Sequence, residues 1–154
     1  MEYTNVVLAG DFVLRNWLAN LVNYTCYFKS ARAHILEAGT YEDGLQHLKA
    51  FEYERRGVDL VISDAHLPSS SGLESYMGLR LIEENGNMNV RRSLERYANS
   101  VVATSDVDAL LLARQRGIPQ CWIRGRGREY VVRYLGQRLC MIIDERKNGP
   151  RILH

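Results

Sequence analysis

No apolar run in this 154-residue chain approaches the ~18 residues that a bilayer-crossing helix needs, so no membrane span is expected. Cysteine is scarce. Cys26, Cys121 and Cys140 form an odd, widely spaced set without a Cys-x-x-Cys, which speaks against a disulfide or zinc framework and fits thiols in a reducing cytoplasm. Charge of one sign is missing too: 20 Lys and Arg stand against 18 Asp and Glu, and a net +2 does not by itself call for nucleic acid. No basic segment precedes the first apolar stretch, and Gly10 and Asp11 interrupt it, so no secretory leader is expected. There is no internal repeat and no low-complexity tract. What remains is an ordinary globular composition, 46% hydrophobic and 25% charged. One domain over residues 1–143 is expected, with a polar tail over 144–154.

The most informative stretch runs from Val58 to Gly72. Leu60-Val61-Ile62 is short and mostly β-branched, and it ends on Ser63 and Asp64 before Pro68, three serines and Gly72. This is the pattern of a buried strand that delivers a carboxylate to a loop. A helix over Leu73–Glu84 is expected next, broken by Asn85-Gly86-Asn87, with a second short basic helix over Val90–Tyr97.

The same alternation runs through the rest of the chain. Asn5–Ala9 reads as the first strand, followed by a helix bearing Phe12, Leu14, Trp17, Leu18, Leu21 and Val22, then a loop or frayed end over Asn23–Arg32. Ala33–Ala38 is the second strand, and Thr40 with Asp43 opens the next helix. Ser100–Ala103 is the fourth strand, leading to Thr104-Ser105 and a helix over Asp106–Arg116. Gln120–Ile123 is the fifth, ending at Arg124. Glu129–Leu139 is the last helix, after which Cys140–Ile143 is read as an edge strand or an extra turn. Five strands alternating with helices imply parallel pairing and an α/β three-layer sandwich, flavodoxin-like, in the order 2-1-3-4-5.

In such a sheet all strand carboxyl ends open onto one edge. That edge gathers Asp11, Asp64, Thr104-Ser105 and Arg124 from four different strands. Two carboxylates, a hydroxyl and a cation are a phosphoryl-transfer set: the acids can hold Mg²⁺ and one can attack phosphorus, while hydroxyl and cation neutralise equatorial oxygens.

On these residues the chain resembles the response-regulator receiver domain over about Asn5 to Leu139. The carriers are Asp11-Phe12 after the first strand, Asp64-Ala-His-Leu-Pro68 with Gly72 four residues on, and Ala103-Thr104-Ser105. Gly117 and a strand ending in the cation Arg124 complete the order. The resemblance implies Asp64 as phosphoacceptor, Asp11 and the His66 main-chain carbonyl as further metal ligands, Thr104 as hydroxyl switch and Arg124 in the lysine position. It also implies a histidine kinase or phosphotransfer protein as partner, with a homodimer as a further option; nucleic acid is a weaker alternative, and the lack of a long apolar run leaves no membrane partner expected.

Departures from the pattern are specific. Gly10 stands where receivers usually carry a second acid, so Mg²⁺ binding is expected to be weak: one charge lost at ~5 Å and an effective dielectric of ~20 removes about 6–7 kcal/mol of gross attraction, most of it offset by desolvation. Arg124 is larger than lysine and forked. Cys121 stands where an aromatic switch residue is usual, beside Trp122, and the segments before Ala33 and Ser100 are long. Two readings follow: a pseudo-receiver that works through protein contacts, and a phosphoacceptor modified on Asp64. Rival readings fare worse. A metallophosphoesterase would need ligands after Asp64-Ala-His66, where the only later histidine is His154; a haloacid-dehalogenase-like phosphatase would need an acid at His66. Nucleic-acid binding would rest on the arginines between 114 and 138, without a motif to support it.

Overall fold

A computed structural model describes residues 3–54, 57–70, 76–89, 96–123 and 127–147. Arg124, Arg126, Gly72 and the Val90–Glu95 part of the expected basic helix lie outside them, as does the end of the tail. The five strands are β1 (Tyr3–Ala9), β2 (Arg32–Ala38), β3 (Leu60–Asp64), β4 (Ser100–Thr104) and β5 (Gln120–Trp122). They form one parallel sheet in the order β2-β1-β3-β4-β5, as expected. The helices are α1 (Phe12–Phe28), α2 (Tyr41–Tyr53), α3 (Met77–Asn89), α4 (Val107–Gln115) and α5 (Gly127–Lys147). None of the described helices is long and apolar enough to cross a membrane.

Side-chain alternation along the strands builds two separate cores. Val7, Ala9, Val61 and Val102 face α2, α3 and α4, where Leu48, Phe51, Leu79, Leu81 and Ile82 are buried. Val6, Leu8, Leu60, Ile62, Val101 and Ala103 face α1 and α5, where Leu18, Val22, Leu135 and Leu139 fill the other layer. Both faces of the central strands are therefore apolar, which is why these strands read as short continuous runs rather than as alternating ones.

Several boundaries differ from the sequence reading. Helix α1 continues through Asn23–Phe28, because Cys26 is buried on its inner face and the Thr25 hydroxyl donates to the Leu21 carbonyl. Asn85-Gly86-Asn87 does not break α3. Asn85 is buried and donates to Asn99 Oδ1 and Ser100 Oγ at 3.0 and 2.8 Å, and a Cβ on Gly86 would lie 2.7 Å from the Tyr97 ring. Polar residues that usually punctuate a chain here fasten a helix to the segment before β4. The last helix takes in Cys140–Ile143 and reaches Lys147, with Lys29 paired to Asp144 at 2.7 Å.

The start of α3 is the largest difference. Tyr76 has φ +62° and is not helical, so α3 begins at Met77; Leu73–Ser75 of the expected helix lie outside the described residues. A Cβ on Gly78 would sit 1.6 Å from the Asp64 carbonyl oxygen. The Gly78 N–H also donates to the Ala65 carbonyl at 3.0 Å, so backbone meets backbone and only glycine fits.

Two glycines in helices thus make opposite predictions. Gly78→Ala should destabilise by about 3–5 kcal/mol, the range reserved for severe core defects, since the obstructing atom belongs to a strand and cannot step aside. Gly136→Ala on α5, whose Cβ would meet nothing within 4 Å, should stabilise by about 0.5–1 kcal/mol. Urea unfolding of both variants checks the pair.

Candidate functional site

Register brings the strand ends together. Ala9 is opposite Ala38 and Ser63, and Asp64 is opposite Ala103, so Asp11, Asp64 and Thr104 share the carboxyl edge of the sheet. Of the residues that sequence reasoning gathered at this edge, the structure brings Asp11, Asp64 and Thr104 to it, while Arg124 lies outside the described residues.

Their local commitments are less uniform. Asp11 caps α1, its Oδ1 accepting from the Leu14 N–H at 2.8 Å. Asp64 is half-buried at the end of β3 and its Oδ1 accepts from the His66 N–H at 3.2 Å. Burial raises its pKa above the ordinary carboxylate value, the nearby Asp11 carboxylate adds to that, and the His66 contact opposes it. Thr104 is buried, and its hydroxyl accepts from the Asp106 N–H at 3.0 Å.

Asp106 joins the site from the next turn, and the sequence reading used it only as a helix start. Its Oδ1 caps α4 through the Asp108 and Ala109 N–H groups, while Oδ2 lies 2.6 Å from His66 Nε2. The His66 hydrogen bond is the main reason its pKa falls below the usual value. The imidazole also lies 4.9 Å from the Tyr76 ring. A clasp therefore spans the mouth, from the loop after β3 to the loop after β4. No motif announces it; the only trace is an acid two residues past the fourth strand.

The loop that carries His66 is tied down from the other side as well. The Tyr41 N–H donates to the Pro68 carbonyl at 2.9 Å. Glu42 Oε1 accepts from Ser70 Oγ, Ser70 N and Ser69 Oγ at 2.7, 2.8 and 2.8 Å, and these bonds hold its carboxyl down to about 2. Two of the three serines after Pro68, Ser69 and Ser70, are therefore anchors.

A strand order of 2-1-3-4-5 with an acid ending β3 and a threonine ending β4 decides the architecture. This is a receiver-like fold. The phosphorylated cyanobacterial phytochrome response regulator RcpA superposes with a TM-score of 0.56 at 13% identity, over 94% of each chain. An uncharacterised protein from Neptuniibacter caesariensis gives 0.51 at 16% identity, over 99% of this chain and 100% of the other. No protein-family model matches the sequence, and no curated protein does.

Among the described residues no three Asp, Glu, His or Cys side chains gather as metal ligands, and Asp11 Oδ1 is taken by the α1 cap. At position 10 a Cβ would come 3.0 Å from Leu14 Cδ2 and 3.5 Å from Asp64 Cβ, so the missing acid's place adjoins Asp64 and is partly occupied by a leucine tip. Beside it, Asp11, Val13, Leu14, Trp17 and Ile123 line a small cavity of 150 Å³. Trp122 is half-buried and Cys121 fully so, its thiol raised to about 11 by burial.

The described arginines of the 114–138 region do not form one stripe. Arg116 on the end of α4 pairs with Glu83, Arg138 on α5 donates to the Tyr134 hydroxyl, and Arg114 and Arg133 are exposed on different helices.

The shift on Asp64 has a definite sign in stability. Its raised folded pKa means that the folded state holds the proton more tightly than the unfolded chain. Asp64 thus favours folding at acid pH and loses that contribution as pH rises through its folded pKa. Asp64→Asn should raise the melting temperature at pH 7, with the gain disappearing below about pH 4, near the unfolded value. Thermal melts of both proteins across that range check it.

Proposed function

We propose that this chain is a signalling module of receiver type that works through protein contacts, a pseudo-receiver of a two-component-type system in the cytoplasm. The observation that carries the reading is the clasp of His66 to Asp106 at 2.6 Å over an edge where Gly10 replaces an acid and Asp11 is engaged as a cap. In a phosphoacceptor the threonine at the end of β4 must be free to follow the new phosphate; here it sits under Asp106 and accepts its N–H. Asp11, Asp64 and Thr104 each already have a hydrogen-bond partner within the fold.

Phosphorylation of Asp64 is the second reading, and one observation favours it. The Asp64 carboxylate stands half-open at the strand end, with Thr104 one strand away. In that case Asp64 is the phosphoacceptor, Thr104 the switch and Arg124 the cation. The partner in either reading is a histidine kinase or a phosphotransfer protein, which would recognise the same edge.

Incubation with acetyl phosphate and Mg²⁺ followed by intact mass separates the two. The wild-type chain should gain no phosphoryl group, as should Asp64→Asn. Stoichiometric gain by wild type, lost in Asp64→Asn, would overturn the pseudo-receiver reading in favour of the second.

Metal titration probes the same edge independently. Wild type should bind Mg²⁺ in the millimolar range or more weakly, as an order of magnitude for two carboxylates without a third. Gly10→Asp should bind it more tightly, at a cost in stability, because position 10 has φ +157°, which side-chain-bearing residues rarely adopt, and Leu14 must shift by a few tenths of an ångström. Equal affinities would mean that position 10 does not face the carboxylates.

A further inference from the structure

At the end of the sheet opposite Asp64, a cavity of 330 Å³ opens among Arg96, Tyr97, Ala98, Gly117, Pro119 and Arg138. Its walls come from the segments that precede β4 and β5 and from the middle of α5. The length of β4, at ~3.3 Å per residue, sets it roughly 15 Å from the carboxyl edge. Two features of the sequence that the receiver-like edge leaves unused meet here: the long segment before β4 and the arginines between 114 and 138. Gly117 leaves its side of the cavity clear, since its φ is +73° and a Cβ there would meet nothing within 4 Å.

The lining is cationic and holds no carboxylate. Arg96 Nη2 donates to the Asn87 side-chain oxygen, and its guanidinium lies 5.4 Å from the centre of the Tyr97 ring. Arg138 Nη1 donates to the Tyr134 hydroxyl at 3.1 Å, while its Nε is buried without an acceptor. Among the described residues both cations therefore have only neutral partners, whereas Arg116 pairs with Glu83. The orphaned Nε marks a guanidinium that the fold does not satisfy. Two guanidinium groups on one cavity repel each other, and an anion between them turns that repulsion into attraction. We propose that this cavity binds a small phosphate monoester, its phosphate held between Arg96 and Arg138. At pH 7 such a group carries about −1.5 to −2 charges, and its oxygens match the planar fork of arginine. Size decides against a bare phosphate ion, because the cavity would hold on the order of ten waters and reaches the ~300 Å³ at which small-molecule sites begin. The ring decides against a nucleotide: Tyr97 carries the Arg96 guanidinium and packs against Gly86, so it offers no platform for a base. A sugar phosphate fits both limits.

This inference does not depend on what happens at Asp64. Isothermal titration calorimetry of the full chain with ribose 5-phosphate at low ionic strength should give a Kd of about 0.1–1 mM. Inorganic phosphate should bind at least about threefold more weakly, ribose should not bind, and AMP should bind no more tightly than ribose 5-phosphate. Arg96→Gln and Arg138→Gln should each weaken ribose 5-phosphate at least about tenfold. Arg133→Gln removes the same charge from an exposed position of α5 and should change the Kd by less than about twofold. Arg96 is exposed, so its replacement leaves the fold intact and keeps the test decisive even where Arg138→Gln fails to fold. An absence of binding up to about 10 mM, indifference to Arg96→Gln, or an equal loss with Arg133→Gln would each overturn the proposal. Inorganic phosphate that binds as tightly as the ester would overturn the choice of ligand, as would tighter binding of AMP. A short RNA that displaces the ester and depends on Arg133 would overturn it as well, pointing to an extended phosphate-binding surface.

Discussion

The contact between the Gly78 backbone and the Asp64 carbonyl governs the geometry of this domain's working edge. It leaves no room for a Cβ in the first turn of α3, which begins at Met77. The segment after β3 carries His66 to the mouth and is tied at Pro68, Ser69 and Ser70 to the start of α2, and α3 is entered through a tyrosine in the left-handed region. A left-handed tyrosine is costly by itself. Its neighbours Met77, Gly78 and Leu79 are buried, which is what holds it there.

Electrostatics at the edge follow from this path. Three acids, Asp11, Asp64 and Asp106, sit at the ends or just beyond the ends of adjacent strands. Two are neutralised by fixed dipoles, each capping a helix, and Asp106 has a histidine besides. Asp64 caps no helix, and its burial pushes it toward the neutral form. Two of the three acids are thus placed at helix N-termini, whose dipoles offset part of the crowding of like charge.

The parallel sheet and its order were legible because the strands are apolar on both faces and the helices between them are periodic. Asp11, Asp64 and Thr104 were legible for a related reason: strand ends are marked by the change from apolar to polar residues, and topology does the rest. Failures came where polar residues serve tertiary contacts. Asn85-Gly86-Asn87 has the composition of a break, yet Asn85 is buried against Asn99 and Ser100 and Gly86 admits the Tyr97 ring. Gly72 has the right distance from Pro68 for a receiver loop, while the glycine that closes the structure is Gly78, whose need is set by a carbonyl fourteen residues earlier. The clasp between His66 and Asp106 was invisible for the same reason: its partners are separated by 40 residues and joined only by adjacent loops.

The tether of the His66 loop bears on how a partner meets this edge. Residues 65–70 are held by Tyr41 and Glu42 on one side and by Asp106 on the other, with bonds of 2.6–2.9 Å. Such a loop occupies one shape before any encounter. A protein that recognises it loses no conformational freedom from this side on docking, so association is set by the rate of correctly oriented collisions and not by a slow folding step. Mutations that free Glu42 would convert the same surface into one that must be ordered by its partner, trading a rigid template for an adaptable one without altering a single residue of the mouth.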